Sequence, residues 1–157
     1  MIGSRRGLKK YVSNMTVKQL EVPEVDILKD EGIWIILDEV CNSNCHGDEW
    51  ARNCEEKLKN FGHEFTWINH KPKGFNGIGG KVQTVGKREM PAAWTLEQSG
   101  LVVPGKIQSH KQIGSHPLLL SKASQAQLGF IKNMQANTVY MKRYGEHLPV
   151  RRAKRLD

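Results

Sequence analysis

The run Gly32-Ile33-Trp34-Ile35-Ile36-Leu37 is apolar and β-branched almost throughout, and it stops abruptly at Asp38-Glu39. A short apolar run entered from the polar turn Lys29-Asp30-Glu31-Gly32 predicts a buried strand. Such a strand delivers the Asp38 carboxylate at its tip. Asp30-Glu31-Gly32 also sets a carboxylate two residues before a glycine, but it precedes the strand instead of ending it, and it is expected to be a turn.

The remaining pattern is mostly that of a β protein. From Asp48 to Phe61 the apolar positions Trp50, Ala51, Cys54, Leu58 and Phe61 recur at helical spacing. Asp48 is the expected N-cap and Gly62 the expected stop. A short strand is expected at 65–68, followed by the glycine-rich turn Gly77-Ile78-Gly79-Gly80. Strands are then expected at 81–85, 92–96, 101–103 and 106–109, separated by Gly or Pro. Pro117-Leu118-Leu119-Leu120 predicts a buried strand, Ser121 the cap of a short helix through Leu128, and Gly129 its end. Segments 138–141 and 148–150 predict a closing hairpin. Trp34, Trp50, Trp67 and Trp94 are expected to be core anchors.

With 157 residues the chain has room for one core without metals or disulfides. No apolar run approaches the roughly 20 residues of a membrane span, and the N-terminus has no apolar stretch of the kind a secretory signal needs. The expected location is intracellular and cytoplasmic, with Cys41, Cys45 and Cys54 as reduced thiols. The formal charge of +8 lies at the ends. Residues 1–18 hold five cations and no acid, and residues 142–157 hold six cations against Glu146 and Asp157, which leaves −1 for the middle. Residues 1–24 and 142–157 are therefore read as basic segments flanking a nearly neutral domain, 25–141. Aromatic side chains are not interleaved with these charges, so nucleic acid is a possible but unfavoured partner.

Three features follow one another in a particular order: an apolar strand ending at Asp38, the glycine turn 77–80, and Pro117-Leu118-Leu119-Leu120-Ser121 with a helix ending at Leu128-Gly129. Over about Trp34 to Ile131 this order resembles the retropepsin-like aspartic proteases of retrotransposons. The nearest likeness is to copia-like elements of protists, in which an Asp-Glu-Gly triplet is followed by a Cys-Asn-x-x-Cys-His run, as in Cys41-Asn42-Ser43-Asn44-Cys45-His46 here. The resemblance implies a mainly β, closed-barrel protomer with one helix after the catalytic loop and a short C-terminal helix. It implies an aspartic endopeptidase that processes a retroelement polyprotein, without a metal or cofactor, as a homodimer with no membrane partner.

In that reading Asp38 is the catalytic carboxylate, Glu39 and Val40 complete its loop, and Phe75, Gly77, Ile78, Gly79 and Gly80 belong to a flap over an extended peptide. Val40 departs from the family, which has Gly at this place so that the backbone can lie close to the carboxylate. A catalytically inactive peptide-binding dimer is the alternative this departure raises, and a nucleic-acid-binding protein is the alternative raised by the basic ends. Cys41, Cys45, His46 and Cys54 have the chemistry of zinc ligands, but a single Cys-x3-Cys-His lacks the paired knuckles of structural sites and favours satisfied or core thiols. His63, His70, His110, His116 and His147 are scattered among loop-like segments and are expected at the surface.

Overall fold

The computed structural model describes residues 24–27, 29–77 and 80–154. Residues 1–23 of the basic N-terminal segment, Arg155 at the other end, and Ile78 and Gly79 of the glycine turn lie outside the described residues. The chain is mainly β. Among the described residues the strands are β1 (Glu24–Val25), β2 (Ile36–Asp38), β3 (Cys45–Gly47), β4 (Thr66–Ile68), β5 (Gly74–Gly77), β6 (Gly80–Gln83), β7 (Gly86–Thr95), β8 (Val102–Gln112), β9 (Leu119–Ser121), β10 (Phe130–Asn133), β11 (Thr138–Met141), β12 (Glu146–Leu148) and β13 (Arg152–Ala153). Two helices, α1 (Asp48–Lys59) and α2 (Lys122–Gln127), stand where the sequence pattern expects them. No helix among the described residues is long and apolar enough to cross a membrane.

Six strands form the main sheet in the order β2-β9-β3-β8-β7-β4. The chain leaves β2 at Asp38 and returns as β3, and β9 arrives from far along the sequence to lie between them. It runs parallel to β2, with Ile36 opposite Leu119 and Asp38 opposite Ser121, and antiparallel to β3 at Cys45. β10, β11 and β12 form a separate antiparallel meander. β5 and β6 form a hairpin, and β1 and β13 a parallel ribbon.

The closed barrel is corrected by this topology. The main sheet is open, with β2 and β4 at its edges. Closing a barrel requires staggered strands long enough to complete the circle, and both edge strands here are three residues long.

Helix α1 forms because Trp50, Ala51 and Cys54 fall on one face and bury against Phe65, Met90, Leu118 and Leu120. Asp48 and Glu49 in its first turn and Lys57 and Lys59 in its last complement the helix dipole. Its start differs from expectation: Gly47 occupies the cap position, and the Asp48 carboxylate instead accepts the Gly114 N–H at 2.8 Å. Gly47 is forced, since a Cβ there would lie 2.5 Å from the Gly114 carbonyl oxygen and 2.7 Å from that of His116. The helix ends at Lys59 with Asn60 as its C-cap, so Phe61, expected on its apolar face, lies beyond it and is 78% exposed, and Gly62 follows with φ +75°. The Gly62 N–H reaches the Lys59 carbonyl at 3.0 Å and the His63 N–H reaches that of Leu58 at 3.1 Å, which satisfies two orphan acceptors.

The two strands expected at 101–103 and 106–109 are one, because β8 runs through Pro104 and Gly105. Pro91 and Pro104 sit in the outer half of the β7–β8 hairpin, where neither β3 nor β4 pairs, so the missing N–H breaks no third-strand ladder. The closing hairpin has its first strand at the expected residues and its second at 146–148, two positions earlier than expected.

Trp67 is a further correction. It is 58% exposed, not a core anchor. Its ring lies against Gly86 and is flanked by Arg88 at 4.4 Å and Lys111 at 5.3 Å. Cations over the ring stabilise this arrangement, and their alkyl stems cover part of the indole.

Candidate active site

Asp38 is half-buried at the last position of β2. Its Oδ1 accepts the Val40 N–H at 2.8 Å and the Cys41 N–H at 3.3 Å, so the carboxylate is held by the backbone that follows it. Gln125 of α2, a buried polar side chain, donates from Nε2 to the Leu120 carbonyl at 2.8 Å and to the Asp38 carbonyl at 3.4 Å. The ends of β9 and β2 are thereby bridged from below by α2. Ser121 caps that helix by accepting the Ser124 N–H at 3.3 Å, as its sequence position predicts.

Asn44 closes the loop after Asp38. Its Oδ1 accepts the Ser121 N–H at 2.8 Å, its Nδ2 donates to the Gln108 carbonyl at 3.0 Å, and its own carbonyl accepts the His110 N–H at 2.9 Å. One side chain thus ties β8 and β9 to residues 39–44. Neither Asn44 nor Gln125 stands out in the sequence, because an isolated amide carries no periodicity or motif until a distant strand supplies its partners.

Glu39 turns outward from the Asp38 carboxylate and pairs with Lys132 of β10. Burial holds the Lys132 ammonium below its ordinary range. Val40 is 87% exposed and its φ is not positive, so a β-branched side chain there brings no left-handed strain.

Phe75, Gly77 and Gly80 lie in the β5–β6 hairpin, with Phe75 opposite Val82 and Gly77 opposite Gly80. Its base is pinned by Thr84, whose N–H donates to the Lys73 carbonyl at 3.0 Å while its hydroxyl accepts the Lys73 N–H at 3.0 Å and contacts His70 Nε2 at 2.6 Å. The Lys73 ammonium in turn donates to the Ser43 hydroxyl. The hairpin is therefore fastened to the loop that follows Asp38. Asp30, the other candidate carboxylate, sits in a bend before the strand, where its Oδ1 accepts the Gly32 N–H at 2.8 Å and the Trp34 indole N–H at 2.7 Å.

The thiols of Cys41 and Cys45 stand 3.7 Å apart, and Cys54 is buried in the α1 core. Among the described residues no three His, Cys, Asp or Glu side chains converge in the manner of a metal site. His70, His110, His116 and His147 are half-buried instead of fully at the surface, whereas His63 is exposed.

His46 is fully buried on β3, with Nδ1 2.9 Å from the Ser109 hydroxyl. Burial first, and then the charges of Arg88, His116, Lys111 and His110, push its imidazole from 6.5 down to about 3. The folded state therefore holds it neutral while the unfolded chain protonates near 6.5. Its stabilising contribution is complete above that pH and is lost as pH falls toward 3, at about 1.4 kcal/mol per pH unit within the window. Urea titrations are expected to lose about 2 kcal/mol between about pH 6.5 and about pH 5, and the slope should flatten in His46→Gln. A parent profile that stays flat over this range would contradict the assignment.

Comparison with protein-family models, with curated proteins and with solved structures returned no match for this chain.

Proposed function

We propose that this chain is the protomer of a retropepsin-like aspartic endopeptidase, two copies of which contribute one Asp38 each and cleave an extended segment of a retroelement polyprotein. The observation that carries the reading is how Asp38 is held. It ends a strand paired to β9, its carboxylate receives two backbone N–H groups, and the loop beyond it is fastened to a hairpin. Such a carboxylate is held in place by backbone N–H groups of its own loop.

In the dimer the two carboxylates share one proton, because like charges about 3 Å apart do not both ionise. The unprotonated Asp38 takes a proton from the attacking water. The protonated one polarises the scissile carbonyl, and the roles reverse as the amine leaves. The peptide lies as an added strand beneath the β5–β6 hairpin, so main-chain hydrogen bonds supply affinity and alternate side-chain pockets supply selectivity.

Val40 favours a second reading, a peptide-binding dimer that has lost hydrolysis. Its N–H already reaches the Asp38 carboxylate at 2.8 Å, which favours the active form. The test is cleavage of a mixed peptide library at about pH 4 to about pH 7, with the parent and Val40→Gly at concentrations where sedimentation finds a dimer. The expected outcome is parental cleavage that changes less than about tenfold in the variant. Cleavage by Val40→Gly alone would establish the inactive module, and a strictly monomeric parent would remove both readings.

A further inference from the structure

We propose that Cys41 and Cys45 form a redox-modification site, a dithiol that closes to a disulfide under a peroxide-class oxidant and restrains the loop whose backbone holds Asp38. The link to catalysis rests on the aspartic protease reading, whereas the thiol chemistry stands on geometry alone. Both sulfurs are free, 3.7 Å apart, and face each other across a turn of three residues. Disulfide formation requires them to close to about 2.0 Å, a movement a loop can make and a core cannot. Cys54, the third cysteine, is buried on α1 in the main core cluster and has no such partner among the described residues.

The two thiols differ in the way a reactive pair requires. Cys41 is half-buried and donates from Sγ to the Ser43 carbonyl at 2.7 Å, while Cys45 is 3% exposed. An oxidant therefore meets Cys41 first, and Cys45 needs access only to Cys41. Burial, the neighbouring Cys41 and the charge of Asp38 push the Cys45 thiol up to about 12, so it remains a thiol until an electrophilic sulfur is presented to it.

The reaction balances in two steps. The Cys41 sulfur attacks a peroxide oxygen, the O–O bond breaks, the departing hydroxide takes the Cys41 thiol proton and leaves as water, and Cys41 becomes a sulfenic acid. The Cys45 sulfur then attacks the Cys41 sulfur, the S–O bond breaks, and the released hydroxide takes the Cys45 proton as a second water. Two thiols lose two hydrogens, and one hydrogen peroxide becomes two waters.

The structural consequence follows from what the loop holds. The Cys41 N–H is one of the two donors to Asp38, Ser43 fastens the β5–β6 hairpin, and Asn44 ties β8 and β9. Closing the pair restrains the residue whose N–H reaches Asp38 at 3.3 Å and removes the freedom of the loop to adjust to a substrate.

Hydrogen peroxide treatment of the full chain, followed by alkylation, tryptic digestion and mass measurement, tests the site. Residues 30–52 form one tryptic segment that contains Cys41 and Cys45 without Cys54. The expected result is loss of two hydrogens within that segment, reversal by dithiothreitol, an unchanged segment 53–57, and a persistent Cys41 sulfenic acid, trapped by dimedone, in Cys45→Ser. Two alkylated thiols after treatment, or oxygen retained on Cys41 in the parent, would overturn the proposal. Peptide cleavage is measured on the same samples, and a reversible loss of at least tenfold is expected on closure. A segment that closes with no loss of cleavage overturns the coupling to Asp38. A segment that closes in a protein with no cleavage in either state leaves the redox site standing and counts against the protease reading.

Discussion

Asp38→Asn is expected to abolish peptide cleavage, with kcat falling by at least about a thousandfold while the fold is retained. The amide keeps an oxygen where Oδ1 accepts the Val40 and Cys41 N–H groups, so the loop has no reason to rearrange. It loses the ability to exchange a proton, which the proposed reaction requires twice. In the proposed dimer both carboxylates are replaced at once, so no residual half-site remains. The measurement is single-turnover cleavage by parent and variant at matched dimer concentration, with thermal midpoints within about 3 °C as evidence of an intact fold. A variant that cleaves like its parent would remove Asp38 from the chemistry.

The largest effect on stability is expected from Leu120→Ala. Leu120 is fully buried, stands opposite Leu37 in the β2–β9 pair and packs with Trp50, Phe65 and Met90. Removing a buried isobutyl group and leaving a cavity costs about 3 to 4 kcal/mol, a large share of the roughly 5 to 15 kcal/mol that holds a domain together. Urea unfolding should reveal the loss as a lower midpoint with an unchanged slope. A loss below about 1 kcal/mol would mean that β9 is not the strut under Asp38 that its contacts describe. Because Gln125 joins the Leu120 and Asp38 carbonyls, the same variant should also loosen the end of β2.

Local pattern identified much of this chain. Helix α1 was legible because its buried residues recur at helical spacing and Gly62 supplies a left-handed stop; α2 was legible because Ser121 and Gly129 bracket it. Strand positions were legible in part: Leu119–Ser121 lies close to the expected segment, whereas the apolar run before Asp38, expected to be a buried strand, pairs only at Ile36–Asp38, is half-buried there and leaves Ile33 exposed. Prolines and glycines misled where tertiary context neutralised them. Pro104 and Gly105 look like a break in the sequence, yet they lie in a two-stranded extension where a missing donor costs little. Trp67 misled in the same way, since its indole is covered by Arg88 and Lys111 from other strands instead of by the core.

The sequence by itself determined a mainly β chain, the helices α1 and α2 and a carboxylate at the tip of an apolar strand, because propensity, capping and the alternation of apolar residues act over a few neighbours. Only the tertiary structure decided that the main sheet stays open, that β9 inserts between β2 and β3, that Asn44 ties the Asp38 loop to β8 and β9, and that Gln125 and Lys132 reach it from α2 and β10. These are pairings between residues whose partners are chosen by packing and hydrogen-bond satisfaction across distant strands, and no local pattern encodes that choice.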